Sequence, residues 1–128
     1  MAPKILVVED NEQNLVLMRD ILVYHGYAVL TARNGEEGVR LAREERPDLI
    51  LMDMQMPVLD GFAAVNILRH DPGLHGLRII AVTSFAMAGD KEKALQAGCD
   101  DYLSKPVDIL ELMATIKRHL GEGKADGE

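Results

Sequence analysis

The chain has 128 residues, a length that suits one domain with a buried core. Its formal net charge of −7 argues against nucleic-acid binding, because contacts with backbone phosphates need a basic surface. The sequence has no apolar run near the roughly 18 residues of a membrane span, and it shows no signal-peptide pattern. Its one cysteine, Cys99, can form no internal disulfide, which suits a reducing compartment. We therefore expect a cytoplasmic protein that binds neither membranes nor nucleic acid.

Apolar runs and amphipathic stretches alternate five times along the sequence. The apolar runs are short and rich in β-branched and aliphatic residues, as buried parallel strands require. The predicted strands cover residues 4–9, 28–32, 49–53, 78–83 and 102–104. The predicted helices cover residues 11–25, 35–45, 61–70, 89–97 and 108–120.

This alternation predicts an α/β fold in which helices cover both faces of a doubly wound parallel sheet. Gly26 and Gly98 lie where two of the helices should end, because glycine readily adopts the left-handed conformation that stops a helix. The last residues are Gly-rich and charged, with almost nothing apolar. We therefore expect one domain over residues 1–121 and a flexible tail over residues 122–128.

Polar side chains stand at the predicted carboxyl ends of four strands. In strand order they are Glu9 and Asp10, then Asp53, then Thr83 and Ser84, and finally Lys105. The carboxyl ends of parallel strands meet at one edge of an open sheet, where the ligand crevice of such folds lies. These side chains should therefore converge on a single site.

The chemistry of these side chains suits a metal-assisted reaction. Three crowded carboxylates would raise one another's pKa values unless a cation lay between them, and oxygen ligands suit a hard ion such as Mg²⁺. A strand-end aspartate beside such an ion, a lysine and a hydroxyl also suits phosphoryl transfer, which needs positive charge around the equatorial oxygens. Asp53 is the natural nucleophile, and Lys105 and Thr83 are candidates to contact the transferred group.

Each of these residues has a simpler interpretation when it is taken alone. Asp10 with Asn11 resembles an ordinary helix cap, Thr83 an ordinary strand residue, and Lys105 a solvated charge. Their coincidence at four strand ends of one alternating chain favours a shared site.

Five segments share their order and spacing with a known family. They are residues 5–11, residues 47–57, Asp60 with Gly61, residues 81–84, and Gly98 with residues 101–106. In these segments the chain resembles the receiver domains of bacterial response regulators, the CheY-like superfamily, and the resemblance spans about residues 4–120. It implies a flavodoxin-like fold with five helices around a five-stranded parallel sheet of order 2-1-3-4-5.

The resemblance also implies roles for the strand-end residues. Glu9, Asp10, Asp53 and the backbone carbonyl of Gln55 would bind Mg²⁺. Asp53 would accept a phosphoryl group from a histidine kinase or a histidine phosphotransfer protein. Such a domain is not an enzyme with a substrate of its own, although it assists its own aspartyl phosphorylation and dephosphorylation.

The remaining implied roles concern the switch and its output. Thr83 and Lys105 would contact the phosphoryl group. Tyr102 would turn inward when the Thr83 hydroxyl is drawn to the phosphoryl group. Pro106 resembles the family's cis-proline. The signal would leave through the face formed by the fourth helix, fifth strand and fifth helix. This face would bind a downstream protein or a second copy of the chain. The protein would therefore be a monomer or a phosphorylation-dependent dimer. The small or unbranched residues at 86–89, which lead into the fourth helix, suit a segment that shifts.

The first predicted helix has more apolar residues than one core face needs. We expect the core face to contain Leu17, Met18, Ile21 and Leu22. Leu15 and Val16 would then face solvent beside the acidic pair. In receivers, a patch so placed would dock the helical bundle that carries the phosphohistidine.

Other protein classes share parts of this pattern. A phosphohydrolase of the haloacid dehalogenase type would place a second aspartate two residues after Asp53, where this chain has Gln55. A pseudo-receiver would lack one of the site residues, and the phosphate of a flavin-binding carrier would be repelled by Glu9 and Asp10. A receiver excised from a hybrid histidine kinase would look much like a stand-alone one, so the sequence leaves both of these possibilities open.

Overall fold

A computed structural model describes residues 2–56, 59–74, 76–84 and 89–121. Within them, strands and helices alternate as predicted. The strands are β1 (Lys4–Val8), β2 (Ala28–Ala32), β3 (Leu49–Asp53), β4 (Arg78–Thr83) and β5 (Asp101–Ser104). The α-helices are α1 (Glu12–Tyr24), α2 (Gly35–Glu45), α3 (Gly61–Arg69), α4 (Asp90–Ala97) and α5 (Ile109–Leu120), and a 3-10 turn forms at Pro72–Leu74. The predicted tail at 122–128 and the predicted mobile residues 86–88 lie outside the described residues.

The five strands form one parallel sheet in the order β2-β1-β3-β4-β5, which confirms the predicted flavodoxin-like fold. The register pairs Val8 with Met52, Asp53 with Val82, and Thr83 with Ser104. Four strands therefore end side by side, and the loops that follow them share one edge of the sheet.

Helices cover both faces of the sheet, as the alternation predicted. Every residue of the central strand β3 is buried. Since successive strand residues point to opposite faces, Ile50 and Met52 pack in one core cluster, whereas Leu49 and Leu51 pack in the other. The first cluster includes residues of α2, α3 and α4, and the second includes residues of α1 and α5.

The helix ends follow from local side chains. Asn11, Asn34, Asp60 and Asp108 each cap a helix by accepting a backbone N–H from its first turn. Gly26 and Gly98 have φ values of 95° and 118°, which fits their predicted role in ending α1 and α4. The described α-helices contain 8 to 13 residues, and none is long and apolar enough to cross a membrane.

The orientation of α1 differs from the prediction. Its buried residues are Leu15, Met18 and Leu22, and Leu15 is only 4% exposed. Leu17, predicted in the core, is 58% exposed, and Val16 is half-buried. Both apolar stripes have helical spacing, and packing against the sheet selects the one at i, i+3 and i+7. The prediction that Leu15 faces solvent was therefore wrong.

Candidate functional site

Three carboxylates meet at the carboxyl edge of the sheet. Glu9 and Asp10 follow β1, and Asp53 ends β3. One oxygen of each residue lies within 4.8 Å of the oxygens of the other two. Glu9 and Asp53 are buried, whereas Asp10 is exposed. The structure thus brings the three predicted acidic residues together, with one of them open to solvent.

Lys105 connects the two buried carboxylates. Its Nζ lies 2.8 Å from Glu9 Oε1 and 3.2 Å from Asp53 Oδ2. The lysine side chain is 17% exposed, so the ion pairs are shielded from solvent. Its backbone N–H donates to the carbonyl of Thr83 at 2.8 Å, and the peptide bond between Lys105 and Pro106 is cis. This lysine therefore places one positive charge among three negative ones.

The surroundings of Asp53 change its acidity. Burial raises the pKa of Asp53 from 3.8 to about 6, and the charge of Glu9 adds to this rise. The backbone N–H of Gln55, which donates to Asp53 Oδ1 at 3.0 Å, and the charge of Lys105 both oppose it. Burial lowers the pKa of Lys105, but hydrogen bonding and attraction to Glu9 and Asp53 outweigh burial and raise it. At neutral pH, Asp53 is an anion in a site that would accommodate a further cation.

The raised pKa of Asp53 makes stability depend on pH. The folded protein holds the proton of the Asp53 carboxyl more tightly than the unfolded chain does. Protonation of Asp53 therefore contributes to the free energy of unfolding below pH 4, and this contribution is lost as pH rises through 6. From pH 5 to pH 8, the metal-free wild type should lose on the order of 1 kcal/mol of unfolding free energy relative to Asp53→Asn. Urea unfolding of both proteins with a chelator measures this, and equal pH profiles would contradict it.

Gly61 fixes the backbone next to Asp53. A Cβ atom at Gly61 would lie 2.5 Å from Met54 Cα and 2.6 Å from the carbonyl oxygen of Asp53. Asp60 starts α3 by accepting the N–H of Ala63 at 2.9 Å. Only a residue without a side chain lets α3 begin this close to the strand end. In the sequence, Asp60 and Gly61 appeared only as family marks, and their supporting role comes from the structure.

Thr83 ends β4 and Tyr102 belongs to β5, so both lie on the side of β3 that is away from β1 and β2. Both line a cavity of about 50 Å³, together with Met54 and Phe62. Tyr102 pairs with Ala81, two residues before Thr83, so the two side chains lie on the same face of neighbouring strands. Thr83 is buried and Tyr102 is half-buried. The structure thus brings together the two residues predicted to form the switch.

A larger groove of about 410 Å³ lies between α1 and α5 and reaches the acidic site. Its lining includes Glu9 and Lys105 together with apolar side chains. These are Leu17, Met18, Ile21, Pro106, Val107, Ile109 and Leu112. An apolar surface beside the site was predicted, but Leu17 and Ile21 form it in place of Leu15 and Val16.

Comparisons with known proteins agree with this architecture. The sequence model of the response regulator receiver domain family matches residues 5–117. The polar-differentiation response regulator DivK of Brucella anthropi is 46% identical over 122 residues, which cover 95% of this chain and 99% of DivK.

Two solved structures are also similar. The receiver domain of the sensor histidine kinase PA1611 from Pseudomonas aeruginosa, solved with a magnesium ion coordinated in its active site cleft, is 40% identical, with a TM-score of 0.87, covering 95% of this chain and 100% of that chain. The chemotaxis protein CheY4 of Vibrio cholerae is 29% identical, with a TM-score of 0.88, covering 94% and 100% of the two chains. The match over most of the chain and the site at the sheet edge lead to one conclusion: this protein belongs to the response regulator receiver domain family of two-component systems.

Proposed function

We propose that this receiver accepts a phosphoryl group on Asp53 with the help of Mg²⁺. The observation that carries the proposal is the buried Asp53 carboxylate at the end of β3, held between Lys105 and the carboxylates of Glu9 and Asp10. Strand β3 fixes the Asp53 nucleophile, and the cationic side chain of Lys105 lies beside it. Asp10 is exposed, so the cluster is in contact with solvent. This is the arrangement that in-line phosphoryl transfer requires.

The donor set suits Mg²⁺. The cluster of Glu9, Asp10 and Asp53 offers only carboxylate oxygens, and the backbone carbonyl of Gln55 would add a fourth oxygen ligand. Bound at this position, the ion would supply positive charge that neutralises the oxygens of the transferred group. The magnesium ion in the structure of the PA1611 receiver supports this assignment.

The remaining residues act on the phosphoryl group. An oxygen of Asp53 attacks phosphorus, a P–O bond forms, and the P–N bond of the donor phosphohistidine breaks, with its electron pair returning to the histidine nitrogen. Lys105 Nζ lies 3.2 Å from Asp53 Oδ2 before transfer and would contact a phosphoryl oxygen after it. The hydroxyl of Thr83 would donate a hydrogen bond to another phosphoryl oxygen. The same groups would assist the later hydrolysis of the aspartyl phosphate.

Intact-mass measurement with a small phosphodonor tests the proposal. Incubation of the protein with acetyl phosphate and Mg²⁺ should add one phosphoryl group, and addition of a chelator should prevent it. A flavin carrier or a pseudo-receiver would gain none under either condition. An unmodified mass with Mg²⁺ present would contradict the proposal.

We further propose that the receiver signals in the cytoplasm by contacts with other proteins, as a stand-alone regulator. The support is that the sequence identity with DivK is higher than the sequence identity with the receiver domain of the PA1611 kinase. The match covers almost all of DivK. The groove between α1 and α5 would dock the histidine kinase or phosphotransfer protein, because a phosphohistidine must reach Asp53 and the groove has both Glu9 and Lys105 in its lining.

The output would leave through α4, β5 and α5, driven by Thr83 and Tyr102. If Thr83 is drawn to the phosphoryl group, the Tyr102 ring gains room in the cavity that both residues line. This movement would change the surface recognised by a downstream protein, or by a second copy in a phosphorylation-dependent dimer. The differential contacts limit the coupling to about 1 to 3 kcal/mol.

Thr83→Ala should weaken this coupling. With beryllium fluoride and Mg²⁺ as phosphoryl mimic, wild-type NMR spectra should show shifts at Tyr102 and along α5, and Thr83→Ala should lose most of them because the hydroxyl that moves is absent. Thr31→Ala on β2, at the far edge of the sheet, is the matched control and should respond like wild type. Full shifts in Thr83→Ala would show that the signal leaves by another route.

A further inference from the structure

Gln55 connects the two loops that border Asp53. Its backbone N–H donates to Asp53 Oδ1 at 3.0 Å, and its side-chain Oε1 accepts the backbone N–H of Ser84 at 3.1 Å. Ser84 directly follows Thr83 at the end of β4. The Gln55 side chain is exposed, so this contact fills no space in the core. Its evident effect is to tie the loop after β3 to the loop after β4.

The Ser84 N–H lies at the same sheet edge as the Asp53 carboxylate. Asp53 pairs with Val82 in the sheet, and the N–H of Met54 donates to the carbonyl of Val82 at 3.0 Å. The chain that follows β4 therefore runs beside the end of β3. Through the Gln55 side chain, the Ser84 amide is bound to the very residue whose own amide holds Asp53 Oδ1.

A phosphoryl group on Asp53 would compete for this amide. Its oxygens are anionic, and hydrogen bonds to charged acceptors are about twice as strong as those to a neutral carboxamide. One N–H group makes one good hydrogen bond at a time. The Ser84 amide would therefore exchange Gln55 Oε1 for a phosphoryl oxygen.

We propose that the Gln55 side chain is a latch that holds the Ser84 amide in the unphosphorylated protein and must release it when Asp53 is phosphorylated. The inference rests on the proposed phosphorylation of Asp53 and adds a positioning residue to it. Because the latch stabilises only the resting state, it lowers the affinity of the site for a phosphoryl group. The loss of one neutral hydrogen bond corresponds to about a two- to tenfold change.

Binding of beryllium fluoride in the presence of Mg²⁺, measured by calorimetry or NMR, tests the latch. Gln55→Met keeps the length of the side chain but removes the amide acceptor, and it should bind the mimic about two- to tenfold more tightly than wild type. Gln55→Glu keeps an acceptor oxygen and adds a negative charge, so it should bind the mimic more weakly than wild type. Gln96→Met, an exposed position on α4, is the matched control and should bind like wild type.

Hydrogen exchange at one amide provides the second measurement. The Ser84 N–H should exchange faster in mimic-free Gln55→Met than in mimic-free wild type, and equally slowly in both proteins once the mimic is bound. If wild type fails to bind beryllium fluoride, the proposed phosphorylation of Asp53 is wrong. If wild type binds but Gln55→Met shows unchanged affinity, the latch is wrong, whether or not the Ser84 amide exchanges faster.

Discussion

Asp53→Asn is expected to gain no phosphoryl group from acetyl phosphate and Mg²⁺ under conditions in which the wild-type protein gains one. Asparagine keeps the size of aspartate but replaces the attacking carboxylate oxygen with a neutral amide, which is a very weak nucleophile. The fold should survive, because the substitution relieves crowding among three carboxylates. Intact mass and peptide mapping measure the outcome directly.

The matched control is Asp48→Asn. Asp48 immediately precedes β3, so the two aspartates stand at opposite ends of the same strand, and Asp48 Oδ2 accepts the N–H of Lys4 at 2.8 Å. An asparagine oxygen can accept the same hydrogen bond, and the position is remote from the acidic cluster. Asp48→Asn should therefore be phosphorylated like wild type. If Asp53→Asn were also phosphorylated at the wild-type rate, another residue would be the acceptor.

The central part of the fold was predictable because burial there leaves a plain sequence signal. Residues 49–53 form an uninterrupted buried strand, and a parallel strand covered on both faces must be apolar almost throughout. The same reasoning located β1 and β4. The orientation of α1 was not predictable in this way, since Leu15 and Leu17 are both apolar and both belong to a stripe with helical spacing. Packing against the sheet, which is a long-range interaction, decides between the two stripes.

The candidate site was likewise predictable only in part. Glu9, Asp53 and Lys105 could be placed together because topology alone brings strand ends to one edge. The contact of Lys105 with Glu9 at 2.8 Å, shorter than its contact with Asp53, depends on side-chain geometry within that edge. The bond from Ser84 to Gln55 likewise depends on the conformation of two loops, for which the sequence has no periodic signal.

Leu17→Asp is expected to slow phosphoryl transfer from a phosphorylated histidine phosphotransfer domain about 10- to 100-fold, the effect of losing one central apolar contact in an interface. Leu17 is 58% exposed and lines the groove that reaches Glu9 and Lys105. A partner helix in this groove would cover Leu17 and Ile21 while presenting its phosphohistidine to Asp53. A charge at position 17 would have to be desolvated in that complex, and it would add to the negative charge of the site.

Two comparisons make the result specific. Phosphorylation by acetyl phosphate needs no docking surface, so Leu17→Asp should retain the wild-type rate with this donor, which also shows that the acidic site is intact. Val23→Asp adds the same charge on the same helix at a position that is 55% exposed but does not line the groove, and it should transfer normally with both donors. If Leu17→Asp accepts the phosphoryl group from the protein donor as fast as Val23→Asp does, the partner docks on another surface. In that case the apolar groove between α1 and α5 has no part in delivering the phosphohistidine to Asp53.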